Sequence, residues 1–227
     1  MQIIGPVLGC GIASSESGRS VPFTIRQADH DIANVKLIGH TAHAWHTLAE
    51  GFTKLASKGE LDPDLARRAG FADEVIALSG SQLSKGLTTW LYAQADADDE
   101  LLGLASYAIR GELGVINLVA VSPAHLAGLP TEPLRGVGTA LVAVIAELFV
   151  KAGVTEVRLH PLDSAAHEFW TGRGFLPCPD QHNLCIRGAP AVSGLIDGCR
   201  VVGVDGVVQC GLRQRTAIYQ PPARAVA

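Results

Sequence analysis

Cationic runs, long apolar runs and cysteine pairs are all missing from this 227-residue chain. Lysine and arginine together number 18 against 22 acidic residues, a formal net charge of −4, and nowhere do they cluster as in a surface that tracks phosphates. Nucleic acid is therefore not an expected partner. No segment reaches the about eighteen apolar residues that a membrane helix needs, so no membrane partner is expected either. Aromatic residues make up only 5% and charged residues only 18%, while 48% of the chain is hydrophobic and the mean hydropathy is +0.25. A sizeable core must then be built from aliphatic side chains and alanine, in one domain or one and a half.

The five cysteines, Cys10, Cys178, Cys185, Cys199 and Cys210, are odd in number and lack C-x-x-C spacing. That argues against a disulfide framework and a zinc knuckle, and for buried or incidental thiols in a reducing compartment. Ile3 to Ile12 is mildly apolar, but no lysine or arginine precedes it, and it is short for a secretory core. VLGC, Val7 to Cys10, is only faintly like a lipobox. The expectation is a soluble cytoplasmic protein with residues 1–20 as a flexible extension and SSESGRS, Ser14 to Ser20, as a linker.

What is present alternates in texture. Val21 to Asp29 reads as a strand, and Asp31 to about Ser57 as a helix, with Ile38, Trp45, Leu48, Phe52 and Leu55 near helical spacing. Gly39 and Gly51 are potential breaks. Pro63 opens a second helical stretch, and Phe71 to Gly86 reads as a third. Three strand-like runs follow, Leu87 to Gln94, Leu101 to Gly111 and Leu113 to Pro123, separated by an acidic turn and a glycine break, which predicts an antiparallel meander. A loop with Pro123, Pro130 and Pro133 leads to an apolar helix, Gly138 to Gly153. Val154 to Leu162 is a further strand, and Asp163 is the N-cap candidate of a short amphipathic helix ending near Gly174. Short strands complete the domain. Residues 188–227 are a C-terminal extension with a predicted hairpin around Val204, Asp205 and Gly206.

LRGVGTAL, Leu134 to Leu141, lies between a strand and a helix. Amides at a helix N-terminus favour an anion, and Gly136 and Gly138 let the backbone come close to one. Arg135 adds a guanidinium, and Val137 and Thr139 complete the turn. The loop is not a Walker A motif and lacks the third glycine of the dinucleotide fingerprint.

The order of these pieces resembles the GCN5-related N-acetyltransferase fold. VPFTIRQADHD, NLVAVSPAH…PLRGVGTALV and VRLHPLDSAAHEFWTGRGF carry the resemblance, from about Val21 to Cys185. It implies an α+β fold: a mixed central sheet with an antiparallel meander, then splayed parallel fourth and fifth strands, flanked by helices. Residues 21–187 would form the acetyltransferase domain. The resemblance further implies that Gly136 and Gly138 hold the pyrophosphate of acetyl-CoA. The backbone of Leu118, Val119, Ala120 and Val121 would lie along the pantetheine arm, with Asp163, Ala166 and Phe169 opposite. Two departures stand out. Pro133 fills a position usually Gln or Arg, and Trp170 stands where a tyrosine often serves as general acid; an indole N–H cannot give up its proton at neutral pH.

Transfer to an amine needs a route for the amine proton. His160, near the end of the fifth strand, and Glu112, before the fourth, are the candidate bases, with His125 and Glu132 as weaker ones in the long loop. His40, His43 and His46 drift around the helix and do not converge on a metal; no metal is implied. The acidic loop from Asp96 to Glu100 reads as a solvated hairpin tip. The reading is an acetyl-CoA-dependent N-acetyltransferase acting on a primary amine of a small molecule or protein. Its rival is a catalytically inactive member of the same fold, a regulatory or interaction module that binds CoA or nothing. A weaker third idea, delivery into another cell, rests only on the serine-rich N-terminus. The acceptor is not legible, and the oligomeric state, homodimer included, stays open.

Overall fold

The structure, a computed structural model, describes residues 2–85, 89–126, 133–179, 183–196, 200–201 and 208–211. The hairpin turn expected around Asp205, with Glu132, Cys199 and most of the C-terminal extension, lies outside them.

Alternation and β-branched content set the strands. β1 (Val7–Ser14) and β2 (Ser20–Gln27) pair antiparallel, and β3 (Trp90–Ala95), β4 (Leu101–Arg110) and β5 (Leu113–Val121) form the expected meander. β6 (Glu156–Leu159) runs parallel to β5, and β7 (Leu176–Pro177) and β8 (Leu184–Arg187) close that side. Two short strands, β9 (Arg200–Val201) and β10 (Val208–Gly211), pair antiparallel, and β10 adds parallel to β1. Among the described residues this makes one mixed sheet in the order β7-β8-β6-β5-β4-β3-β2-β1-β10-β9. The fold class is α+β, with the meander and parallel pair that the resemblance implied.

Helices cover both faces. α1 (Ile32–Ser57) begins at Asp31, whose carboxylate accepts from the Ala33 amide, and it runs through Gly39 and Gly51 without a break. α2 (Pro63–Ser84) is one continuous helix where the sequence suggested two, because Gly70 falls on a helical turn and nothing crowds it. Both pack on one face, over a cluster that includes Ile38, Trp45, Val75, Ile76, Trp90 and Leu104. α3 (Val137–Lys151) buries nearly its whole circumference on the other face, with α4 (Ser164–Thr171) and α5 (Ala189–Gly194) beside it. Nothing in the local pattern signalled α5, a six-residue helix opened by Pro190.

The expected flexible extension is instead part of the sheet. Gly9, Gly11 and Ala13 alternate toward the interior of β1, and SSESGRS forms the tight β1–β2 turn, Ser15 N–H donating to Arg19 C=O at 2.9 Å. Ile3 is buried. The fully buried Asn34 amide clamps Ile4 from both sides, at 2.7 Å each. Small residues at alternate positions hid this strand, since they carry little hydrophobic signal. The cysteine expectation also needs correction. The β7–β8 pairing sets Cys178 beside Asn183, two residues from Cys185 and diagonally across from it, and the two thiols form a disulfide with Cα atoms 5.5 Å apart. Disulfides persist in oxidising compartments, so the cysteines no longer argue for a reducing one. Among the described residues no helix is long and apolar enough to cross a membrane.

Candidate functional site

The site begins with a fault in the sheet. β5 and β6 pair over only Leu113↔Glu156, Gly114↔Val157 and Val115↔Arg158, after which β6 ends and β5 continues to Val121. On its other edge β5 carries a bulge: Ser106 faces Leu118 and Tyr107 faces Ile116, so Asn117 is left over. Beyond the bulge, Leu118 and Ala120 turn toward the α1/α2 cluster, and Val119 and Val121 toward the α3 cluster. Among the described residues the backbone from Leu118 to Val121 therefore has no strand partner on the β6 side.

A cavity of about 290 Å³ fills that gap. Val119, Ala120 and Val121 line it from β5, Gly138 from α3, Asp163, Ala166, Phe169 and Trp170 from α4, and Arg68 and Phe71 from α2. Its volume is near the lower end for ligand clefts, roughly 300–1,000 Å³. Eight residues expected along the cofactor from the sequence thus converge on one space.

At the Gly138 end sits the first turn of α3. Gly136, the N-cap, has φ 104° and ψ −21°, a left-handed conformation that glycine takes without strain. The first helical bond runs from the Ala140 amide to the Gly136 carbonyl at 2.9 Å, so the amides of Val137 and Gly138 have no helical acceptor. A side chain at Gly138 would begin 3.6 Å from Val121 and grow into the cavity. Arg135 stands apart. Its amide donates to Ser14 C=O at 2.9 Å and its guanidinium pairs with Glu16, so it anchors the loop to β1.

A different arginine, missed in the sequence, reaches the loop. Arg173 donates to Thr139 Oγ1 at 2.7 Å and to Phe169 C=O at 3.0 Å, with its guanidinium 3.5 Å above the Phe169 ring. Its signal was its place inside the TGRGF ending, next to the glycine that turns the chain at φ 89°.

Asp163 caps α4 as expected and does more. Oδ1 accepts from the Ala166 amide at 2.7 Å, and Oδ2 accepts from Arg67 at 3.0 Å and Arg68 at 3.2 Å, tying α4 to α2. Burial alone would raise its pKa; the Ala166 amide and the two guanidiniums outweigh that and hold it below the ordinary carboxylate value. Trp170 is buried, edge-on to Phe169 and Phe175, and serves as wall.

The acid–base candidates are scattered. His160 is exposed just past β6, two residues before Leu162, whose side chain borders the cavity. Glu112 is exposed at the opposite end of β5, about 23 Å along the strand from Val119 at roughly 3.3 Å per residue. There it accepts from Thr155 Oγ1 at 3.0 Å and holds the β5–β6 start together. His125 is partly buried, 3.4 Å from Glu100, and neither of its buried ring nitrogens has a hydrogen-bond partner among the described residues. His46 bonds Asp73 at 2.8 Å, which raises its pKa. Among the described residues no group of three side chains is placed to hold a metal.

No family model and no curated protein matches this chain. Among solved structures it is similar to the PaiA N-acetyltransferase of Thermoplasma acidophilum in complex with coenzyme A, at 18% identity over 72% of this chain and 96% of that one, TM-score 0.42. It is also similar to AtaTR bound with acetyl-CoA (16% identity, 53% and 80% covered, TM-score 0.41) and to nourseothricin acetyltransferase (18%, 44% and 65%, TM-score 0.36). At these values no residue role carries over from those proteins.

Proposed function

We propose that this chain is an acetyl-CoA-dependent N-acetyltransferase. One observation carries the reading: a single cavity opened by the β5–β6 splay has unpaired strand backbone along one wall and α3 amides at one end. An extended thioester arm suits the first feature and a pyrophosphate the second. The helix dipole and the Val137 and Gly138 amides favour the anion, Arg173 adds positive charge beside Thr139, and β5 amides are available to the thioester carbonyl.

The reaction would form a C–N bond between the amine and the acetyl carbonyl carbon and break the C–S bond. The amine loses one proton, and the thiolate gains one. His160 is the side chain best placed to pass the amine proton on, through water. Glu112 serves the sheet, not the reaction. The thiolate is protonated by solvent, since Trp170 offers no acid.

The same walls support a second reading. The ionisable side chains among the described lining residues, Arg68 and Asp163, are bonded to each other. A module that binds CoA without turnover would look like this. Thermal melting with and without acetyl-CoA, followed by CoA thiol release with an amine present, separates the possibilities. Saturation at a hundred times Kd adds about 2.7 kcal/mol, several degrees for this chain length. The shift is expected to vanish in Gly138→Trp, and thiol release to fall in His160→Gln with the shift intact. A shift without thiol release would select the binding module; no shift at millimolar acetyl-CoA would end both readings.

A further inference from the structure

A second, larger cavity of about 690 Å³ lies between the C-terminal half of α1 and the N-terminal half of α2, and it touches the first. Phe71 and Leu162 line both, and Arg67 and Arg68, held by Asp163, straddle the boundary. We infer that this second cavity is the acceptor chamber, that it takes a small cationic amine rich in hydrogen-bond donors, and that Glu74 is its charge anchor. The inference rests on the acetyltransferase reading above.

The polar lining gives the ligand class. Thr53 donates its hydroxyl proton to Ala49 C=O at 2.9 Å, and Ser57 donates to Lys54 C=O at 2.8 Å. Both hydroxyls thus offer only lone pairs to the cavity. Glu74, two helical turns beyond Arg67 on the same stripe of α2, adds a carboxylate that is exposed and has no ion-pair or hydrogen-bond partner among the described residues. Among the described residues Arg67 is the one cation on the lining, and Asp163 at 3.0 Å and Asp64 at 3.4 Å offset it. Two acceptor hydroxyls, an unpaired carboxylate and an arginine offset by two carboxylates leave the polar lining net acidic, which selects a donor-rich cation and disfavours an anion. The remaining surface, from Phe71, Leu162 and nearby alanines, accommodates a short hydrocarbon or sugar frame.

The position fits the chemistry. An amine reaching past Phe71 and Leu162, which line both cavities, would meet the acetyl end of the first one, and His160 stands two residues from Leu162 along the chain. Its nitrogen would form the new C–N bond as the C–S bond breaks, its surplus proton leaving by His160 and water and the thiolate taking one from solvent.

Two variants test this in the full chain. Gly70 lines the chamber and a Cβ there meets nothing within 4 Å, so Gly70→Phe starts its side chain in open space and directs bulk at the chamber. Glu74→Gln keeps the shape and removes the charge. CoA thiol release would be followed with spermidine, glucosamine and tyramine, and acetyl-CoA melting shifts recorded for every variant. The expected result is release with at least one amine, lost in Gly70→Phe. In Glu74→Gln the amine KM is expected to rise about fivefold at unchanged kcat. Both variants should keep the wild-type acetyl-CoA shift. Turnover in Gly70→Phe equal to wild type, an unchanged KM in Glu74→Gln, or no release with any amine would overturn the chamber while an intact acetyl-CoA shift leaves the cofactor site standing. A wild type without that shift would overturn both.

Discussion

Asp163 joins two elements through one carboxylate, and its two oxygens can be tested separately. Asp163→Ala removes the α4 cap, a change of about 1 kcal/mol. It also removes the contacts of Oδ2 with Arg67 and Arg68. The Asp163 side chain is 7% exposed, but the arginines are 45% and 30% exposed and regain water when released, so these contacts together are worth about 1 kcal/mol. The alanine variant should lose about 2 kcal/mol, which for a chain of this length is roughly 4–8 °C in Tm. Asp163→Asn can keep the cap, since Asn and Asp cap equally well, and loses only the ionic half, roughly 2–4 °C.

Proton linkage adds an independent readout. The folded-state pKa of Asp163 lies below its ordinary 3.8. A depressed carboxylate contributes stability that is fully present above the unfolded-state pKa and lost as pH falls through the folded one. The gap between wild type and Asp163→Asn should therefore be constant from about pH 7 to pH 5 and close below about pH 4. Melting by circular dichroism across that range measures it. A gap independent of pH, or an asparagine variant as unstable as the alanine one, would refute the assignment of Oδ2 to the two arginines.

Two further outcomes follow from geometry. His46 has a raised pKa, chiefly from its hydrogen bond to Asp73. The stabilisation of the α1–α2 contact by that pair is present in full below the ordinary value of 6.5 and fades as pH rises through the higher folded one. An NMR titration of the ring should show a pKa above 6.5 that returns toward it in Asp73→Asn. Arg173→Ala should weaken acetyl-CoA binding about tenfold by titration calorimetry, equivalent to about 1.4 kcal/mol. An affinity equal to wild type would mean that Arg173 serves the packing around Phe169 and Thr139 and not the cofactor.

Periodicity located the long elements because their buried faces are large: α1, α3 and the meander carry regular aliphatic positions that no other arrangement would bury. The glycine loop was legible for a similar reason, since Gly136 occupies a conformation that a side chain would strain. Local pattern failed where tertiary pairing decides. β1 is spelled with glycine and alanine and exists because β2 and β10 flank it. The disulfide depends on the β7–β8 register, which spacing does not encode. Arg135 and Arg173 exchanged the roles that proximity in sequence suggested, because β1 claims the first and the Phe169 ring positions the second.

The first cavity also says what its side chains are for. Arg68 and Asp163 neutralise each other, Trp170 and Phe169 are walls, and β5 and α3 contribute backbone. On the proposed function, recognition there would rest on amides whose positions are fixed by a strand bulge, a truncated β6 and a left-handed glycine, so it would need few particular side chains. Such a site tolerates Pro133 and Trp170 in unusual places, because neither removes an amide from Val137, Gly138 or β5. On the same proposal, charge selectivity would fall to the neighbouring chamber, which Glu74, Thr53 and Ser57 line. Substitutions in the first cavity should therefore alter cofactor affinity across all acceptors, while substitutions around Glu74 should reorder acceptors without moving the cofactor.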